Sequence, residues 1–241
     1  MRIRAAVHVH SDWSHDGSWP LSKIASFFRK AGYRCVLTSE HDESFDDDRW
    51  QCYRKACSEN STKDLLILPG IEYSDNQNIV HILVWGINPF LGKGRKIDEI
   101  LLRVRELKGV AVLAHPSRKN AWQQYDESWM PLLSGIEQWN RKADGVAPSS
   151  EAQFLISKHP TLLPFVGLDF HRLNQFFPLV MALQIDGSLT EAAVIDALQE
   201  QRGAAKVLGV PINYFSIGIL SGAAKGIEHF RKYLRRKVKS K

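Results

Sequence analysis

Cysteine is almost missing from this sequence: Cys35, Cys52 and Cys57 are the only three in 241 residues. Their spacing fits neither a zinc ribbon nor a paired framework, which excludes a disulfide-stapled scaffold and points to a reducing compartment. No n-region, h-region and cleavage site precede the first apolar run, which begins within a few residues of Met1. The expected address is therefore the cytoplasm. There is no P-loop, internal repeat, low-complexity tract or linker, so a single domain is expected. Long apolar runs are also scarce. Val207 to Ala224 lacks charge over 18 positions but contains Pro211, Asn213 and three glycines. It reads as a closing strand plus loop rather than a membrane span.

What is present is an ordinary globular composition, 44% hydrophobic and 24% charged. The net charge of +6 suggests a nucleic-acid partner until its placement is considered. Lys225 to Lys241 holds eight Lys/Arg and one acid, so the tail alone carries +7 and the rest about −1. Within that tail Ile227, Phe230, Leu234 and Val238 recur at helical spacing between the basic residues. They predict a basic amphipathic helix suited to anionic lipid, to nucleic acid or to the body of the protein. Its plainest form is a terminal helix packed by the apolar stripe.

Upstream, apolar runs alternate with helical patterns. "IRAAVHV", "RCVLTS", "DLLILPGIE", "IVHILVWGI", "VAVLAHP", "GIEQW", "LLPFVGLD" and "PLVMALQI" read as strands. Helices are expected over Leu21 to Lys30, after Asp46 to Asp48, through Ile97 to Leu107, and near 150–158 and 190–201. Such alternation predicts a parallel α/β sheet, open or closed into a barrel.

The segment "VHVHSDWSHDG" packs three of the nine histidines into eleven residues. His8 and His10 are two apart on a strand and so share a face. His41, Glu72, His115, Asp169 and His171 each fall at or just beyond the end of an apolar run, and His81 lies within "IVHIL". The C-terminal ends of parallel strands converge on one rim, so these residues are expected to gather there. Imidazole and carboxylate together suit zinc, manganese or iron. Taken alone, His81 reads more readily as a hydrogen-bonded core or loop histidine than as a ligand; His15, His159 and His229 fall outside the pattern.

These motifs resemble the PHP (polymerase and histidinol phosphatase) superfamily of metal-dependent phosphoesterases. "HVHSDWSHDG" is similar to its H-x-H opening followed by an S-D-G element, and "LTSEH" stands where T-D-H is usual. "GIE", "HIL", "AHP" and "GLDFH" follow in the family's order. The resemblance implies a distorted (β/α)7 TIM-like barrel over residues 1–206. Residues 207–241 would add barrel closure and the basic helix. It implies up to three divalent metal ions, of zinc, manganese or iron. One would be held by His8, His10, Glu72 and Asp169, a second by Glu72, His81 and His115, and a third by Asp16, His41 and His171. His15 is the alternative to Asp16, which the following Gly17 favours. Glu40, replacing the usual aspartate after an inserted Ser39, is expected to support the ligands from behind, as is Glu137.

The implied activity is hydrolysis of a small phosphomonoester, a nucleotide or phosphorylated metabolite, by a hydroxide bridging two metals. His41 and His171 are candidates for protonating the leaving oxygen unless both bind metal. Arg118 and Lys119, directly after "AHPS", are candidates for clamping the phosphate, with Asn140 as a pocket-wall residue. Rival readings are a phosphodiesterase or nuclease helped by the basic tail, and a non-catalytic metal-bound module assisting a partner.

Overall fold

The computed structural model describes residues 1–215 and 218–239. Its first half carries β1 (Arg2–Val9), α1 (Leu21–Lys30), β2 (Cys35–Thr38), β3 (Glu40–His41), α2 (Asp47–Asn60), β4 (Leu66–Leu68), β5 (Gly70–Ser74) and β6 (His81–Trp85). Then follow α3 (Ile97–Glu106), β7 (Val110–Leu113), β8 (Gly135–Asn140), a single turn α4 (Arg141–Asp144), α5 (Ser150–Lys158) and β9 (Leu163–Gly167). The chain ends with β10 (Leu179–Gln184), α6 (Glu191–Gln199), β11 (Gly203–Val207), β12 (Val210–Pro211) and α7 (Gly218–Lys239).

Local chemistry accounts for many boundaries. α1 buries Leu21, Ile24 and Phe28, and just beyond it Gly32 takes φ of 81°, a left-handed turn that costs glycine little. Side chains of Asp46, Asn140, Ser149 and Thr190 accept backbone N–H groups at the starts of α2, α4, α5 and α6. The run "DLLILPGIE" divides at Pro69, which has no N–H to continue a ladder.

The strands form two sheets, in the orders β12-β11-β10-β1-β2-β4 and β3-β5-β6-β7-β8-β9. β2 runs into β3 across Ser39. Beyond β9, the N–H groups of Leu168 and Phe170 donate to the Val7 and His8 carbonyls at 2.9 and 3.0 Å. The two sheets are thus joined across Ser39 and between β9 and β1 into one α/β body, over one apolar cluster that includes Val36, Ile67, Leu83, Val112, Ile136 and Phe165.

Two expectations need correction. The sheet is mixed, because β6 is antiparallel to both β5 and β7, and β10 to β1 and β11. Only residues 75–80 separate β5 from β6, too few for the dozen-residue crossover that a parallel pair requires. The stretch from Val207 to Ala224 is also not a closing strand plus loop. Val210 and Pro211 make a two-residue edge strand, residues 212–215 a 3-10 turn, and α7 begins at Gly218. Proline is tolerated at such an edge, and the small residues after Gly218 extend the periodicity of the basic tail. Among the described residues no helix is long and apolar enough to cross a membrane.

Candidate metal centre

β1 opens the site with an irregularity. Its register against β2 shifts between Val7 and Val9, and His8 at the bulge takes φ of 62°. Simple alternation is therefore not what turns His8 towards His10; the bulge re-aims the ring, and the two ring centroids lie 5.1 Å apart. His115 and Asp169 also have positive φ, 26° and 49°. Non-glycine residues in such conformations cost about 1–3 kcal/mol each and cluster where function requires them.

Around these positions the described residues form three sets able to hold an ion. They are His8, His10 and Asp169; His8, Glu72 and His115; and His10, Asp16, His41 and His171. His8 Nε2 and His10 Nε2 lie 3.3 and 3.4 Å from Glu72 Oε2, and 3.9 and 3.7 Å from Asp169 Oδ1. Tetrahedral ligands about 2.1 Å from an ion are separated by ~3.4 Å, which these spacings approach. His41 Nε2 and His171 Nε2 approach Asp16 at 3.3 and 2.8 Å, and His41 Nδ1 is 3.3 Å from Glu72. The decisive fit is in the orphans: His8 Nε2, His10 Nε2 and Asp16 Oδ1 are buried without any hydrogen-bond partner. Buried polar atoms seldom remain so, and ions held by the sets that contain them would satisfy each.

Of the expected ligands, His81 stands apart. It belongs to none of the three sets, and its Nδ1 and Nε2 face Glu72 Oε1 at 2.6 Å and Asn78 Oδ1 at 2.7 Å. β6 runs antiparallel, so His81 reaches the rim from a strand's beginning. His15 lies at the exposed mouth of the cleft, its ring 5.3 Å from that of His41, and pairs with Glu43 at 3.0 Å, whereas Asp16 points to His41 and His171.

Supporting contacts fix the rings. His8 Nδ1–H donates to Glu137 Oε1 at 2.8 Å, leaving Nε2 bare towards Glu72 and Asp169. Glu137 Oε2 also accepts from the His115 backbone N–H at 2.8 Å and from Asn140 Nδ2 at 2.9 Å. Gly167 makes room for it, since a Cβ there would fall 1.7 Å from Glu137 Oε1. Glu40 accepts from Ser11, Ser14 and Tyr53, and Ser14 Oγ in turn accepts from the His41 N–H at 3.0 Å. Glu40 thereby braces the Asp16 loop from beneath.

Electrostatics follow the same arrangement. Burial disfavours charge on His8, but Glu137, Glu72 and Asp169 outweigh it and raise its pKa well above the usual value. For His10, burial and the neighbouring His171 and His41 act together to lower it. Burial opposes ionisation of Glu72, yet the surrounding histidines hold its carboxyl well below the ordinary range.

The sets open into a cleft of about 160 Å³ whose lining includes Asp16, His41, Asp42, Glu43, Arg118 and Lys142. Arg118 donates to the Asn78 carbonyl and side chain at 3.0 and 2.9 Å. Lys119 turns to the Asn78 carbonyl at 2.8 Å and is not part of the lining. Asn140 is fully buried; besides Glu137, it engages the Ala143 N–H at 2.9 Å and so does not form the pocket wall. An Asn at a strand end often caps the next helix, as Asn140 does for α4. That helix carries Lys142, which sequence reasoning missed: its Nζ is 3.2 Å from both Asp169 Oδ1 and His171 Nε2.

No family model matches the chain, and no curated protein sequence does. Solved structures match over most of its length. A two-domain protein from Bacteroides vulgatus, described as containing a predicted PHP-like metal-dependent phosphoesterase, superposes with a TM-score of 0.67 at 15% identity, covering 86% of this chain and 65% of that one. The chain has the PHP-like fold. PsfC from Pseudomonas syringae shares it at a TM-score of 0.64 and 15% identity, over 95% of this chain and 98% of its own. So does the lesion-specific endonuclease PfuEndoQ from Pyrococcus furiosus, at 0.59 and 16%, over 86% of this chain and 58% of that one. This chain thus spans less than two thirds of the first and last of these relatives, and the likeness is one of architecture.

Proposed function

We propose that the protein is a metal-dependent phosphoesterase acting on a small phosphomonoester. The observation that carries this reading is the sharing of ligands: His8 belongs to two of the three sets and His10 to two, so ions held there would be neighbours, and Asp16, His41, Glu72, His115 and Asp169 of those sets line one cleft. Divalent ions held there would offset phosphoryl charge and activate water, whether zinc, manganese or iron. The histidine and carboxylate residues assigned above would hold them. His81 serves as a partner of Glu72 in this reading.

The protein's own groups supply the rest. Arg118, fixed by Asn78 beside His81, offers a forked donor to phosphoryl oxygens. Lys142 brings a second cation from the Asp169 side. His41 and His171, candidates for proton delivery, are both turned onto Asp16, which favours the ligand role. The narrow cleft, with the carboxylates of Asp42 and Glu43 in its lining, favours a small monoester over a polyanionic strand.

The test loads the purified protein with each metal and assays p-nitrophenyl phosphate and bis(p-nitrophenyl) phosphate, alongside His10→Ala and His115→Ala. Metal-dependent turnover of the monoester, abolished by both substitutions, is expected. Turnover that survives both would sink the site assignment. A diester preference would move the reading to a nuclease, and metal binding without turnover to a binding module.

A further inference from the structure

α7 meets the rest of the protein with the wrong stripe. Ser221, Ala224 and Glu228 are buried, whereas Ile227 and Phe230 are each 61% exposed. The docking face is polar: Glu228 accepts from the Val146 N–H at 3.0 Å and is clasped by Arg231 at 2.6 and 2.7 Å. At 100° per residue, Phe230 lies about 160° round the helix from Glu228 and Ile227 about 100°. The expectation that the apolar stripe packs on the body is therefore corrected for these two residues; the side chains of Leu234 and Val238 lie outside the described residues. Anchoring by Glu228 fixes the rotation that leaves the stripe outside.

We propose that this face of α7 docks on an anionic lipid bilayer. An exposed Ile and Phe on a helix with little acid and many basic residues is the pattern of an interfacial helix, where apolar groups enter the acyl boundary and cations meet headgroups. Eight Lys/Arg fall between Lys225 and Lys241, and the single acid there, Glu228, is already occupied. Charge selects the occupant. A second copy would bring a second balance of +7 and repel, and nucleic acid offers phosphate but no interior for Ile227 and Phe230. The face is separate from the metal ligands, so the inference does not depend on the proposed activity.

The full-length protein would be tested by flotation with vesicles of phosphatidylcholine alone and of phosphatidylcholine with phosphatidylserine, alongside Ile227→Ser/Phe230→Ser. Partition into the anionic vesicles only is expected, weakened by salt and reduced about tenfold or more in the double variant. The variant should keep the parent's thermal midpoint and metal content, since neither side chain is buried. No binding to anionic vesicles overturns the proposal. So does binding unchanged by the double substitution, which would reduce the effect to charge alone. Light scattering that shows a dimer lost in the variant, or duplex DNA competing away all vesicle binding with the apolar residues irrelevant to both, would replace lipid by those occupants.

Discussion

Glu137 has no place in the cleft, yet it governs the orientation of two candidate ligands, His8 and His115. One oxygen fixes the His8 tautomer and the other holds the backbone of His115, whose φ of 26° needs such restraint. Glu137→Gln exchanges one acceptor for a donor in that arrangement and must break one of these bonds. Metal affinity, read by calorimetric titration, is expected to fall about 10–100-fold with the circular dichroism unchanged. Equal affinity in variant and parent would remove Glu137 from this role. Gly167→Ala is expected to weaken binding likewise, because its Cβ would occupy the carboxylate's position. At this scale the sequence was a good guide to residue types and a poorer one to orientation. Glu137 was legible because strand alternation sets it opposite Gln138. Lys142 was not, since nothing in "NRKADG" says that Asn140 turns inward as a cap and that the next turn swings a lysine over Asp169.

The elements that carry ligands are tied together behind the rim, and the α4 turn is one such tie. Asp144 at its end accepts from the Asn140 N–H at 2.7 Å and from Ser117 Oγ, linking the segment after β7 to the one after β8. Burial pushes its carboxyl up to about 7, even though these two hydrogen bonds favour the ionised form. The folded protein therefore binds this proton more tightly than the unfolded chain, whose carboxyl titrates near 3.8. Its contribution to stability is full below the unfolded value and is lost as pH rises from about 4 towards about 7. Asp144→Asn carries no proton to lose. Urea unfolding across that range should show the variant gaining on the parent as pH rises; parallel profiles would contradict the argument. The order of the longer elements and most of their helix ends were readable from periodicity and caps, whereas β11 and the α4 turn were not. The direction of β6 was not, because "IVHILVWGI" has the same apolar pattern whichever way it pairs, and only the short 75–80 connection carried the information. For the same reason His81 appeared misplaced within its run.

At the scale of the whole molecule, the candidate centre joins parts of the chain that are far apart in sequence. His8 and His10 leave β1, His41 lies in β3, Glu72 in β5, and His115 and Asp169 follow β7 and β9. A ligand bound by all of these, and by few of them in the unfolded chain, must stabilise the assembled fold by mass action. Saturation at about 100 times Kd is worth about 2.7 kcal/mol per site, which for a chain of this size raises the thermal midpoint by about 5–10 °C. The metal must also displace the proton that the surrounding carboxylates hold on His8, whose pKa is raised. The shift on adding metal should therefore be larger at about pH 8 than at about pH 6, where histidines compete for protons. Differential scanning calorimetry of chelator-treated and metal-restored protein measures it. A chelator should lower the midpoint, and restored metal should recover it. A midpoint indifferent to metal at both pH values would mean that the histidines and carboxylates gather without a shared ion. The bulge at His8 and the unpartnered ring nitrogens would then be strain with no compensating ligand, a costly arrangement for a fold to retain.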